Sequence, residues 1–283
     1  MTRPRLFVSD LDGTLLDADA QLSQRTRDGL ARLLAAGVAV TFATARSPYS
    51  VRAILGDLPL ALPVVALHGA VVTQLGSTRH DVVRATDAAA ARCVLEIARE
   101  HGTTLFVSTY DGERDRVNYE RCTNGGGRWF VEDRVRAGDP RLRHVPDLDA
   151  VLDDAVLCLT VMDRREPAES IAAQVRERTG GALALHVYEN AYSPGWTWVT
   201  AHSAHAGKDV ALRDVVARHG LGEHEIVAYG DTGSDLPLFA AAHRAVAVAN
   251  AEAAVRAAAH EVVASHREDG VVRHMLRTSG LDG

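Results

Sequence analysis

Six short runs of the chain, RLFVS, VAVTFAT, PVVAL, EIVAYGD, RAVAVAN and EVVAS, are almost continuously apolar. A strand with one wet face alternates apolar and polar residues. Strands that do not alternate are buried on both faces, which is the mark of a parallel sheet covered by helices. Helical segments separate several of the runs. SQRTRDGLARLLAAG starts at Ser23, a good N-cap, places Leu30, Leu33 and Leu34 on one face, and meets Gly37 just past its end. SPYSVRAILGDL has Ser47 as cap and Pro48 at the first helical position. The expected class is α/β, a Rossmann-like, doubly wound, mostly parallel sheet.

The alternation is interrupted once. AVVTQLGSTRHDVVRAT reads as two short strands around a Gly-Ser turn. A helix over Asp87–His101 follows, then the strand-like runs TLFVST, VLCLTVM and ALALHVY. Tyr110 to Asp154 is turn-rich and contains NGGGRWF, read as a turn leading into a helix whose glycines could also touch substrate. Residues 79–198 are thus expected to form an inserted α+β domain, with 1–78 and 199–283 as the core. At about 100–200 residues per domain, a chain of 283 residues accommodates both.

The formal net charge of −6, without a basic run, argues against a nucleic-acid or anionic-membrane partner. The longest apolar segment, LPLALPVVALHGAVV, is broken by two prolines and a histidine and does not read as a membrane span. No signal peptide is expected in MTRPRLFVSD. Cys93, Cys122 and Cys158 are far apart and lack any C-x-x-C pattern, so they read as reduced thiols and a cytoplasmic location is expected.

Polar residues collect just after the apolar runs. Asp10 and Asp12 follow the first, Thr44 and Arg46 the second, His68 and Gly69 the third, Asp231 and Asp235 the EIVAY run, and Asn250 the AVAVA run. In an open α/β sheet, ligands bind outside the carboxyl ends of the strands. Two carboxylates as close as Asp10 and Asp12 repel. A hard cation held by Asp10, Asp12 and Asp231 would offset that repulsion, and Mg²⁺, which keeps waters and substrate phosphate among its ligands, fits. Lys208, the Thr44 hydroxyl and helix starts after Gly13 and Thr44 could receive a phosphate.

The motifs DLDGTLL, ATAR, GK before a helix, and GDTGSD, in that order, resemble the four motifs of the haloacid-dehalogenase-like phosphatases. VANA, SHREDGV and the large insertion resemble the Cof-type branch, in which the insertion is a cap domain that selects substrate. The resemblance implies an Mg²⁺-dependent phosphatase of a small phosphorylated metabolite such as a sugar phosphate, a monomer or homodimer. Asp10 would be the nucleophile, forming an aspartyl-phosphate, and Asp12 the general acid and base. Thr44 and Lys208 would bind and neutralise the phosphoryl group. Gly13, Ala45, Arg46, His68 and Asn250 would contact substrate. Asp10, Asp12 through its backbone carbonyl, Asp231 and Asp235 would make the metal site. A phosphomutase or phosphotransferase of the same fold, or a non-catalytic phosphometabolite-binding protein, are the alternatives.

The chain departs from the branch at His68 and Ser234, where asparagine is usual, and at Asp209, where glycine usually follows the lysine. His68 reads as a structural histidine or a substrate contact, and Arg46 as a substrate contact or an ion pair. His202 and His205 have a spacing seen in metal sites, but without Cys or Glu partners nearby they are not read as a zinc site. Tyr188, Tyr192, Trp196 and Trp198 read as packing.

Overall fold

The computed structural model describes residues 3–56, 58–189 and 193–282. The chain divides into two compact units, Met1–Val82 with Gly207–Gly283, and Val83–Ala206. The second unit differs at its edges from the expected 79–198. It includes the whole strand Thr197–Ser203, which a boundary at 198 would cut.

The first unit is built on a five-stranded sheet in the order Glu261–Val263, Arg244–Val248, Glu225–Gly230, Arg5–Ser9, Ala39–Phe42. Every pairing is parallel. Leu6, Phe7 and Val8 are fully buried in the central strand, as their unbroken apolar run requires. The helix Gln24–Ala35 begins on the expected cap, with Ser23 Oγ accepting from the Thr26 N–H, and packs against Gly270–Thr278. The chain runs outward from the central strand to Ala39–Phe42 and later returns on its other side. The strand order therefore switches between Arg5–Ser9 and Glu225–Gly230, and a crevice at such a switch point is where this fold class binds ligands.

PVVAL departs from the simple expectation of a third parallel strand. Val64–Ala66 joins the parallel sheet only through a bridge between Ala43 and Val65, and pairs antiparallel with Val71–Thr73. Leu67, His68 and Gly69, with φ of 49°, 57° and 97°, reverse the chain immediately after it. GTLL does not open a helix either. The N–H groups of Thr14, Leu15 and Leu16 all donate to the Leu11 carbonyl, closing a tight turn instead.

The second unit is a six-stranded sheet in the order Leu183–Glu189, Thr197–Ser203, Ala155–Asp163, Thr104–Tyr110, Asp115–Tyr119, Leu142–His144. All pairs are antiparallel except the last. Helices Ala88–Glu100 and Arg165–Thr179 bury Leu105, Val107, Leu159, Val161, Val199 and Ala201 on one face. On the other face, Phe106, Met162 and Trp198 pack with Phe130 of the helix Gly125–Arg136. NGGGRWF is thus helical from its first glycine, with Asn124 as cap. Its glycines face protein: a Cβ on Gly125 or Gly126 would lie 2.8 Å from the Trp196 indole, and one on Gly127 2.6 Å from Thr104 Oγ1. Tyr188, Trp196 and Trp198 pack within this unit, Trp196 beneath the Arg164 guanidinium. Tyr192 lies outside the described residues.

Candidate active site

Asp10 and Asp231 are the residues immediately after the two strands that flank the switch point. Side-chain oxygens of Asp10, Asp231 and Asp235 lie within 4.8 Å of one another. Three carboxylates so placed need positive charge. Lys208, at the start of the helix Lys208–Arg218, supplies one: its Nζ donates to Asp10 Oδ1 at 2.8 Å and to Asp235 Oδ1 at 2.7 Å. Lys208 is 3% exposed, Asp10 6% and Asp235 0%. Burial alone would lower the lysine pKa, but Asp10 and Asp235 raise it, so the ammonium stays charged.

The three carboxylates differ in their tasks. Both oxygens of Asp235 are committed, Oδ1 to Lys208 and Oδ2 to the N–H groups of Asp231 and Thr232. Asp235 is therefore a brace. Asp231 Oδ1 accepts from the Thr14 hydroxyl at 3.1 Å, while burial and then the Asp235 charge push its pKa up to about 7. Burial, reinforced by Asp235 and Asp231 against the pull of Lys208, likewise raises Asp10. The single charge of Lys208 balances only one of these three carboxylates. Their all-oxygen donor set fits a hard divalent ion such as Mg²⁺. Asp10 and Asp231 are the residues that could hold it directly.

Asp12 sits beside this group and is paired with Arg46. Nε and Nη2 of Arg46 donate to the two oxygens of Asp12 at 2.7 and 2.6 Å, and Nη1 donates to Ser50 Oγ. The ion-pair reading of Arg46 is thus realised, with the expected acid as its partner. Thr44 is fully buried, and its hydroxyl accepts from the Arg46 N–H, which leaves its proton to donate. Ala45 lies between the two, half-buried.

His68 is buried, and its N–H donates to the Thr44 carbonyl, while the Leu67 N–H donates to the Arg46 carbonyl. The turn is therefore bonded along the ATAR segment. Gly69 allows the next contact. A Cβ there would lie 2.3 Å from the Gly207 carbonyl oxygen, so the bare glycine lets the backbone before Lys208 pack on the turn. Gly13 plays the same part in the DLDGT turn. Its φ is +69°, and a Cβ would lie 2.2 Å from Asp231 Oδ2. The Asn250 amide is hydrogen-bonded at both its nitrogen and its oxygen. Its amide nitrogen donates to the Gly13 carbonyl and its oxygen accepts from the His266 N–H, so it ties two loops together.

The helix after Thr44 begins at Pro48 with Ser47 as its cap, as expected, and the Ser47 side chain accepts from the Ser50 N–H. Sequence reasoning passed over Thr14 and Ser50. Thr14 carries its signal in the DGT triplet itself, whereas Ser50 is one of many serines until the Arg46 guanidinium is seen to reach it.

A family profile described as haloacid dehalogenase-like hydrolase matches residues 7–275. A phosphoglycolate phosphatase of Halorubrum lacusprofundi is 33% identical, the match covering 92% of this chain and 91% of that protein. A 5-amino-6-(5-phospho-D-ribitylamino)uracil phosphatase of Bacillus subtilis is 23% identical over 94% of this chain and 95% of its own length. Among solved structures, a haloacid dehalogenase-like hydrolase from Bacteroides thetaiotaomicron superposes with a TM-score of 0.78 at 20% identity, covering 98% of this chain and all of that one. The chain belongs to the haloacid dehalogenase-like hydrolases. Among the described residues, no helix is long and apolar enough to cross a membrane.

Proposed function

We propose that this chain is an Mg²⁺-dependent phosphatase that hydrolyses a small phosphorylated metabolite through a phosphoryl group carried on Asp10. The observation that supports this most is the Lys208 ammonium buried between Asp10 and Asp235. A phosphate dianion approaching a carboxylate nucleophile needs positive charge already in place, and there is little other chemistry for the protein to perform.

Asp10, Asp231 and the Asp12 backbone carbonyl would hold Mg²⁺, with Asp235 bracing them. The ion supplies Lewis-acid neutralisation of phosphoryl charge. The chain's own groups do the rest. Lys208 fixes one oxygen of Asp10, so the carboxylate presents the other in a defined direction. That oxygen attacks phosphorus as the bond to the leaving oxygen breaks, and Asp12 gives that oxygen its proton. Asp12 then takes a proton from water, the water oxygen attacks phosphorus, and the Asp10 carboxylate is restored. Arg46 orients Asp12 while Asp12 is ionised and takes the proton from water, and must release one of its oxygens when Asp12 carries the proton for the leaving oxygen. The Thr44 hydroxyl donates to a phosphoryl oxygen. Catalysis belongs to the unit that contains these residues, and choice of leaving group to the 83–206 insertion.

The test is phosphate release from a panel of phosphomonoesters with Mg²⁺, beside Asp10→Asn. The panel includes phosphoglycolate and 5-amino-6-(5-phospho-D-ribitylamino)uracil, after the relatives' names. We expect release by the wild type, none by folded Asp10→Asn, and silence in EDTA reversed by Mg²⁺. Full activity in the variant or in chelator would overturn the assignment.

A further inference from the structure

We propose that His186 and His202, in the second unit, form a binding site for a borderline transition ion, Zn²⁺ being the type case. The two residues stand on neighbouring antiparallel strands, Leu183–Glu189 and Thr197–Ser203. In that register His186 lies opposite Thr200 and His202 opposite Ala184. Because side chains alternate between faces, His186, Thr200 and His202 share one face of the sheet. The two Nε2 atoms are 3.1 Å apart, and the rings are nearly parallel, 19° between planes. Zinc–imidazole bonds of about 2.0–2.1 Å to both nitrogens would enclose an angle of about 95–100°, within reach of tetrahedral or octahedral coordination.

Two further observations point to a ligand. The ring nitrogen Nδ1 of His202 lies 3.0 Å from the Ser203 carbonyl oxygen, which can only accept. The neutral ring therefore carries its proton on Nδ1 and keeps a lone pair on Nε2, aimed at His186. Orientation of a histidine by a backbone carbonyl on its far nitrogen is the usual support of a metal-binding imidazole. The second is Thr200. It is 5% exposed, and its hydroxyl has no hydrogen-bond partner among the described residues, although buried hydroxyls seldom go unpaired. It lies directly across from His186 and next along the strand face from His202. A coordinated water, or an oxygen of an exogenous ligand on the same ion, would satisfy it.

In the metal-free chain the 3.1 Å gap is bridged by the proton of His186 Nε2, donated to His202. Metal binding would move that proton to His186 Nδ1 and place the ion between the two lone pairs. Imidazole suits Zn²⁺, Ni²⁺ and Cu²⁺, whereas Mg²⁺ takes oxygen, so the proposed site and the carboxylate group would not compete for Mg²⁺.

The experiment is a calorimetric Zn²⁺ titration of the full chain in excess Mg²⁺, which keeps the carboxylates occupied. Wild type is compared with His186→Gln, His202→Gln and, as a control outside the site, Asp231→Asn. We expect one Zn²⁺ equivalent that both histidine variants bind at least ~10-fold more weakly and that Asp231→Asn retains. In parallel, long-range ¹H–¹⁵N spectra of the wild type should show the ring nitrogens of His186 and His202 shifting with Zn²⁺, a readout that does not depend on any variant folding. Zn²⁺ uptake unchanged in both histidine variants, or ring nitrogens of the wild type that do not respond, would overturn the site.

Discussion

Lys208 touches two carboxylates in a place where water barely reaches. A buried ion pair contributes little net stability while intact, because desolvation cancels much of the attraction, but removing one partner strands the other. Lys208→Met would strand Asp10 and Asp235. In metal-free protein at pH 8 we expect it to lose about 3–5 kcal/mol of unfolding free energy, read by urea titration. A loss below ~1 kcal/mol would show that the carboxylates neutralise themselves without the lysine. His274 makes a different prediction. It is buried, with Nδ1 2.8 Å from the Tyr229 hydroxyl and Nε2 3.4 Å from Glu261. Burial lowers its pKa, Glu261 opposes that, and Arg277 and Arg244 reinforce it. Between its depressed folded value and about 6.5, the unfolded chain binds the proton more tightly. The contribution of His274 is therefore complete above pH ~6.5 and declines as pH falls through the folded value, by at most ~1.4 kcal/mol per pH unit. His274→Gln should flatten unfolding free energy against pH in that window. Parallel curves for variant and wild type would rule the linkage out.

At the scale of elements, the turn Leu67–Gly69 organises the site. It is bonded to the ATAR segment on one side and receives the Gly207 backbone on the other. Three successive residues with positive φ, two of them not glycine, are costly and persist only where the surroundings fix them. Gly69→Ala would force a Cβ to 2.3 Å from a carbonyl oxygen at φ +97°. We expect phosphate release to fall at least ~10-fold, about 1.4 kcal/mol of activation free energy, as Lys208 is displaced, with thermal stability also lowered. Unchanged turnover would mean that the turn does not position the lysine. This element also marks what a sequence can disclose. The strands were legible because Leu6–Val8 and their counterparts are unbroken apolar runs, and the carboxylates because they end those runs. The reversal after PVVAL was not, since nothing in LHG announces left-handed backbone at a leucine. A helix after NGGG was expected, but its start at Gly125 was not legible, because three glycines, poor helix formers, open it and pack against Trp196 and Thr104, contacts absent from local sequence. The pairing of His186 with His202 depends on strand register, which spacing along the chain does not encode.

At the scale of the whole molecule, the chain leaves its first unit after Val82 and rejoins it at Gly207, and the intervening residues are continuous in sequence. The insertion has what an autonomous domain needs. Its length, between Val83 and Ala206, falls in the usual range of about 50–250 residues. One apolar core lies under two helices and a second beneath the helix Gly125–Arg136. Both ends of the insertion are tied into it, for the Thr86 N–H donates to the Val156 carbonyl and the Ala204 N–H to the Ala182 carbonyl. The fragment 83–206 expressed alone should therefore unfold in urea as one cooperative transition, coincident by circular dichroism and tryptophan fluorescence. Mg²⁺ should leave its midpoint unmoved, because Asp10, Asp231 and Asp235 all lie in the other unit. The same ion at 100 times its dissociation constant should stabilise the full chain by about 2.7 kcal/mol, if unfolding of the first unit is what the probe follows. A fragment without a cooperative transition would mean that its cores need the rest of the chain. A fragment stabilised by Mg²⁺ would mean that a hard-ion site exists outside the carboxylate group.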